Sequence, residues 1–188
     1  MFTTPGGSRA GGVRIGQAGC LSAGGRYALP TPCDDFDVCT LVNHMLAGNP
    51  YYEGLAQGDD PDFALFAQYH MGDRQPGEVY AEGAKEALAA WQTEGALQRQ
   101  MPLPGGGLSP RLADLSLLEA VPHGWGLATA TGQDRTGAPD AVAAIFQTWY
   151  GNHPDEFRGA TGVFGPSKAA SEGAPALDRI AAYFGRTL

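Results

Sequence analysis

No stretch of this chain approaches the ~20 consecutive apolar residues of a membrane-spanning helix. Its start, MFTTPGGSRAGG, lacks the apolar centre of a secretory signal. Basic residues are scarce: 12 Lys and Arg stand against 20 Asp and Glu, for a formal charge of −8. Without a basic face, neither nucleic acid nor anionic lipid is an expected partner. A polyanionic substrate would need a local cluster of Arg or Lys to overcome the field of the whole chain. There are only three cysteines, Cys20, Cys33 and Cys39, with no CxxC spacing. An odd count in a chain of this length points away from a disulfide framework and towards reduced thiols in a cytoplasmic protein. Alternating runs of β-branched residues are missing, so no segment reads as a strand. There is no internal repeat.

What is there reads as helices. With 188 residues and 43% apolar content, the chain can build one core. The reading is a single all-α domain over 1–188, a bundle of about four main helices with a C-terminal extension over 151–188. The first 28 residues are rich in glycine, which costs roughly 1 kcal/mol relative to alanine in a helix interior. They predict a poor or broken first helix, over 13–23. Thr31–Asp37 is a turn, with Asp34 or Asp35 as the N-cap of a helix over 36–57. Leu41, Val42, Met45 and Leu46 make its apolar stripe, and Pro50 is placed to kink or end it. Residues 58–74 are polar, with a short apolar piece at 63–69. Further helices are expected over 77–97, 109–131, 139–150 and 176–185. The 109–131 helix has Ser109 as N-cap, Pro110 at its first position and Gly132 as its stop.

The chemistry concentrates on the 109–131 helix. At about 100° per residue, Leu108, Leu112 and Leu115 share a face with Glu119 and His123, and Leu127 borders it. Arg111, Asp114 and Leu117 fall on the other side. A carboxylate and an imidazole thus point inwards, where an unpaired charge is costly to bury. They can satisfy each other or a tyrosine across the bundle. Alternatively they hold a divalent cation, since the i, i+4 spacing puts both side chains over one point. His44, at the edge of the 36–57 stripe, is either a boundary histidine bonded to a carbonyl or the third ligand. Three ligands leave a coordination position open for water or substrate, as in catalytic rather than structural zinc sites. His70 (QYHMGD) and His153 (GNHPDEF) read as surface residues, Glu78, Glu82 and Glu86 as a solvated face, and Asp37 as a first-turn acid. Cys33 has no cationic neighbour in sequence and reads as structural. Tyr51, Tyr52 and Trp125 read as buried packing.

Three blocks, LPTPCDDFDVCTLVNHML, LLEAVPHGWGLATATG and FGP…APALDRIAAYFGR, resemble segments of the DinB-like, mycothiol-dependent maleylpyruvate isomerase group, in particular its small single-domain metal-binding branch. The resemblance runs from about Leu29 to Arg186. It implies a four-helix bundle with a long crossover, arranged up-down-down-up. It also implies a divalent metal, usually zinc, on one His of the second helix and a Glu and a His of a later one, matching His44, Glu119 and His123. Three departures stand out. Gly126 replaces the acid of the common HGWD, Pro122 sits inside the helix immediately before His123, and the first helix is Gly-rich.

The function this implies is a metal-dependent enzyme acting on a small molecule with mycothiol or another low-molecular-weight thiol. In the isomerase, the thiol adds to a cis double bond, rotation follows, and elimination leaves the trans isomer. The metal would lower the thiol pKa or polarise a carbonyl. Conjugation and elimination remain alternatives. So do a His2Glu hydrolase, an iron oxygenase with a facial triad, and a non-enzymatic metal-binding bundle, for which a homodimer is compatible.

Overall fold

The computed structural model describes residues 25–33, 36–100, 111–137, 139–148 and 164–188. The described residues are helical, without a strand. The elements are α1 (Val38–Gln57), α2 (Ala64–Gln68), α3 (Pro76–Trp91), α4 (Leu112–Thr131), α5 (Pro139–Thr148) and α6 (Ala176–Tyr183), with short 3-10 turns at Gly25–Ala28 and Ala96–Gln98. The helix expected over 13–23 lies outside the described residues. None of the described helices is long and apolar enough to cross a membrane.

Helix α1 begins at a cap different from the expected one. The Asp37 carboxylate accepts from Thr40 N at 2.8 Å and Thr40 Oγ1 at 2.7 Å, which makes Asp37 the N-cap rather than a first-turn acid. Asp34 and Asp35 lie outside the described residues. Pro50 does not end the helix, which runs on to a left-handed Gly58. Arg99 covers its last carbonyls, donating Nε to Ala56 O at 2.9 Å and Nη2 to Gln57 O at 3.3 Å. The apolar piece after α1 is the single short helix α2. Pro76 opens α3, which stops at Trp91, earlier than expected, with a separate turn at Ala96–Gln98. Helix α4 starts at Leu112, and Ser109 and Pro110 lie outside the described residues. It runs unbroken through Pro122 to the expected Gly132 stop, at φ 71°.

Helix α1 packs along both α3 and α4, and α5 and α6 pack on α4. Val38, Val42, Leu46, Met71 and Val79 form the core between α1 and α3. Leu118, Trp125, Ile145, Ile180 and Phe184 form the core on the other flank of α4. The two apolar stripes of α4 therefore serve two cores, and Leu117, expected on the solvent side, is half-buried. Burying side chains on both flanks leaves the α1-facing strip of α4 as the place where a polar residue must find a partner. Cys39 is disulfide-bonded and Cys33 is a free, buried thiol. That corrects the expectation of reduced thiols throughout, and removes the thiols as an argument for a cytoplasmic setting.

Candidate metal centre

On that α1-facing strip, α4 carries Glu119 and His123 one turn apart, and α1 presents His44. Gly48, one turn beyond His44, faces Glu119, and a Cβ there would make an ordinary contact with the Glu119 Cγ at 3.5 Å. His44 Nε2 lies 2.6 Å from Glu119 Oε1, and His123 Nδ1 lies 3.0 Å from the same oxygen. One donor atom from each of the three residues falls within 4.8 Å of the others. The imidazole planes meet edge-on, with centroids 4.8 Å apart.

The alignment of these atoms is more informative than their distances. Glu119 Oε1 is buried and has no hydrogen bond, although two ring nitrogens crowd it. Neither imidazole aims an N–H at the oxygen. His123 Nδ1 instead faces the Glu119 carbonyl oxygen at 2.8 Å. A carbonyl can only accept, so Nδ1 donates to it, and the lone pair falls on Nε2 only once the ring is neutral. A backbone carbonyl orienting an imidazole through its other nitrogen is a standard arrangement behind metal-binding histidines.

The donor set suits zinc or a neighbouring divalent ion. Donors on a tetrahedral ion with bonds of ~2.0–2.1 Å lie roughly 3.4 Å apart, so the 2.6 Å His44–Glu119 pair would have to open by about 0.8 Å. That is within reach of a side-chain adjustment.

Electrostatics bind the cluster together. Burial alone would raise the Glu119 carboxyl, but His123 and His44 bring it well below its usual range. Burial alone would lower His123, but Cys33 and Glu119 hold its proton up to about 9. Burial likewise opposes ionisation of Cys33, and His123 and Arg186 outweigh it, so the thiol is held below its ordinary value. Cys33 also approaches α4 where Gly126 leaves room. A Cβ at Gly126 would stand 3.6 Å from the Cys33 Sγ. Phe36 and Phe66 flank the His44 ring, with centroids at 5.2 and 4.7 Å.

The remaining sequence candidates disperse. His70 is exposed on the loop before α3, and His153 lies outside the described residues. Glu78, Glu82 and Glu86 are exposed, and Glu82 pairs with Arg74. Tyr52 donates to Leu115 O at 3.3 Å. Trp125 is buried packing, but its indole nitrogen also donates to Asp178 Oδ1 at 2.7 Å. Sequence reasoning passed over Cys33 as a contact of the cluster, because its cationic neighbours His123 and Arg186 come from distant segments. It also passed over the Tyr51 hydroxyl, which is buried without a hydrogen-bond partner. Its position seven residues after His44, two turns along the same face, was the available signal.

Two mycobacterial proteins are similar to this chain. They are the uncharacterized proteins MT0763 of Mycobacterium tuberculosis (strain CDC 1551 / Oshkosh) and Rv0738 of Mycobacterium tuberculosis (strain ATCC 25618 / H37Rv). Each is 26% identical over 162 residues, covering 85% of this chain and 84% of the relative. No family model matches the chain. No solved structure matches it.

Proposed function

We propose that this chain is a divalent-metal enzyme, with zinc as the ion, acting on a small molecule together with a low-molecular-weight thiol such as mycothiol. Its helices are read as a DinB-like four-helix bundle in the up-down-down-up arrangement. The observation that carries the metal is the convergence of His44, Glu119 and His123, whose donor atoms all lie within 4.8 Å of one another around a buried Glu119 Oε1 that makes no well-aligned hydrogen bond. An unsatisfied buried carboxylate oxygen is expensive, and a cation shared by all three side chains satisfies it.

His44, Glu119 and His123 would hold the ion. The Glu119 carbonyl orients the His123 ring through Nδ1, and Cys33 is its other polar neighbour. Phe36 and Phe66 keep water from the flanks of His44. When bound, the ion would supply Lewis acidity and lower the pKa of a thiol at its open position. The three-block resemblance supports the thiol chemistry. The isomerase reaction of the resembling group is one instance of it.

A second reading follows from the short His44–Glu119 contact. The three residues would then form a polar cluster that locks α1 to α4 with no metal. Elemental mass spectrometry of the purified protein separates the two. The enzyme reading expects about one divalent ion per chain, lost in both His44→Ala and Glu119→Ala. A wild-type protein that takes up no ion even on reconstitution establishes the polar cluster instead.

A further inference from the structure

We propose that the cavity between α1, α3 and α4 is a binding site for an uncharged, benzene-sized ring. The cavity has a volume of about 180 Å3. An apolar protein cavity of ~150 Å3 is known to take up benzene, so a single ring fits. Met45, Ala87, Leu88 and Leu117 supply aliphatic wall, and Tyr52, Tyr80 and Trp91 supply aromatic faces or edges for a ring to pack against.

Three polar side chains of this wall already bond within the protein. Asn49 Nδ2 donates to Tyr80 O at 3.1 Å, Tyr52 Oη to Leu115 O at 3.3 Å and Ser116 Oγ to Ala113 O at 2.8 Å. A ligand with several polar groups would therefore find few partners there. Glu119 closes one part of the wall, and among the described residues no Lys or Arg lines the cavity. An anionic ring would meet a carboxylate with no counter-charge, within a chain of net charge −8. Neither His44 nor His123 lines the cavity, so it backs onto the candidate metal centre through Glu119 alone. Leu88, 57% exposed, gives the cavity an apolar rim towards solvent.

Binding of the ring does not depend on the metal reading, so the experiment uses the full chain both metal-loaded and chelator-treated. Phenol and benzoate are titrated while methyl resonances are followed by NMR. Phenol should saturate in both forms, with intermolecular NOEs from its ring protons to the Ala84 and Ala87 methyls. Benzoate should bind at least about tenfold more weakly. Ala84→Leu, which fills the cavity from α3, should weaken phenol by at least about tenfold. Saturable phenol binding without NOEs to those methyls, or benzoate binding as well as phenol, overturns the proposal. So does undiminished phenol binding by Ala84→Leu. Should that variant fail to fold, the wild-type NOEs decide on their own. A wild-type chain that takes up no divalent ion yet binds phenol would overturn the metal reading and leave the cavity standing.

Discussion

The Trp125 indole nitrogen donates to Asp178 Oδ1 at 2.7 Å, joining the HGW segment of α4 to the first turn of α6. Both residues are buried, and Arg135 lies 3.5 Å from the same carboxylate oxygen. The bond fixes the flank of α4 opposite α1, and with it the direction in which Glu119 and His123 point. Asp178→Ala leaves a buried indole N–H without an acceptor and should cost about 1–3 kcal/mol of stability. Asp178→Asn keeps an acceptor and should recover most of that. Urea unfolding of the two variants checks this. An equal loss in both would mean that the charge towards Arg135, not the indole bond, holds α6.

Without metal, the cluster should give stability a defined pH dependence. His123 holds its proton up to about 9 in the folded protein against an ordinary 6.5. Its contribution is therefore complete below pH 6.5 and is lost as the pH rises towards 9. Glu119 is depressed from 4.5, so its contribution is complete above pH 4.5 and lost on acidification. Cys33, held below 9.0, offsets part of the alkaline loss. Urea midpoints of chelator-treated protein should be highest between pH 4.5 and 6.5 and decline on both sides. His123→Gln should flatten the alkaline decline, and an unchanged slope would remove His123 as its source.

Metal binding has to displace the His123 proton, so affinity should keep rising with pH up to about 9 rather than level off near 7. About one proton should be released per ion bound between pH 6.5 and 9. Calorimetry in buffers of different ionisation enthalpy measures that number. His70→Ala, changing an exposed loop residue, should leave both affinity and proton release unchanged.

Helices α1 and α4 were legible because their apolar stripes repeat every three or four residues and their stops are glycines at the left-handed Gly58 and Gly132. The meeting of His44 with Glu119 and His123 was legible because an inward charge on an apolar face demands a partner. The Asp37 cap was missed because three acids, Asp34, Asp35 and Asp37, lie within four residues and compete for one role, and only the Thr40 hydrogen bonds single out Asp37. Cys33 and Arg186 were missed because their contact with the cluster is made by chain reversal, which leaves no periodicity to read. Leu117 was misplaced because a helix with cores on two flanks has no single solvent face.

Gly126 lies where α4 meets Cys33 and Leu41. It is buried, and a Cβ there would stand 3.6 Å from both Cys33 Sγ and Leu41 Cδ2, an ordinary contact. Gly126→Ala should therefore fit and stabilise α4 by about 1 kcal/mol, the usual difference between the two residues in a helix. Gly126→Asp would drive a carboxylate between a thiol and a leucine and should destabilise the chain. Thermal unfolding of the pair tests this, and a destabilised Ala variant would mean that α4 needs closer approach to Cys33 than the contact distance indicates.

The Tyr51 hydroxyl is 4% of the way to full exposure as part of its residue, has no hydrogen-bond partner, and stands two turns from His44 on the same face of α1. Burial, then the charges of Glu119 and Asp62, push its phenol up to about 12, so it stays protonated. Its ring packs on Phe66, centroids 4.9 Å apart, and Phe66 packs on His44. Tyr51→Phe keeps that stack and removes a donor with nothing to bond. Stability should rise by about 1 kcal/mol, with metal content unchanged. Urea unfolding measures the first and elemental analysis the second. A loss of stability instead would show that the hydroxyl is satisfied in solution, by water or by a ligand held at the cluster.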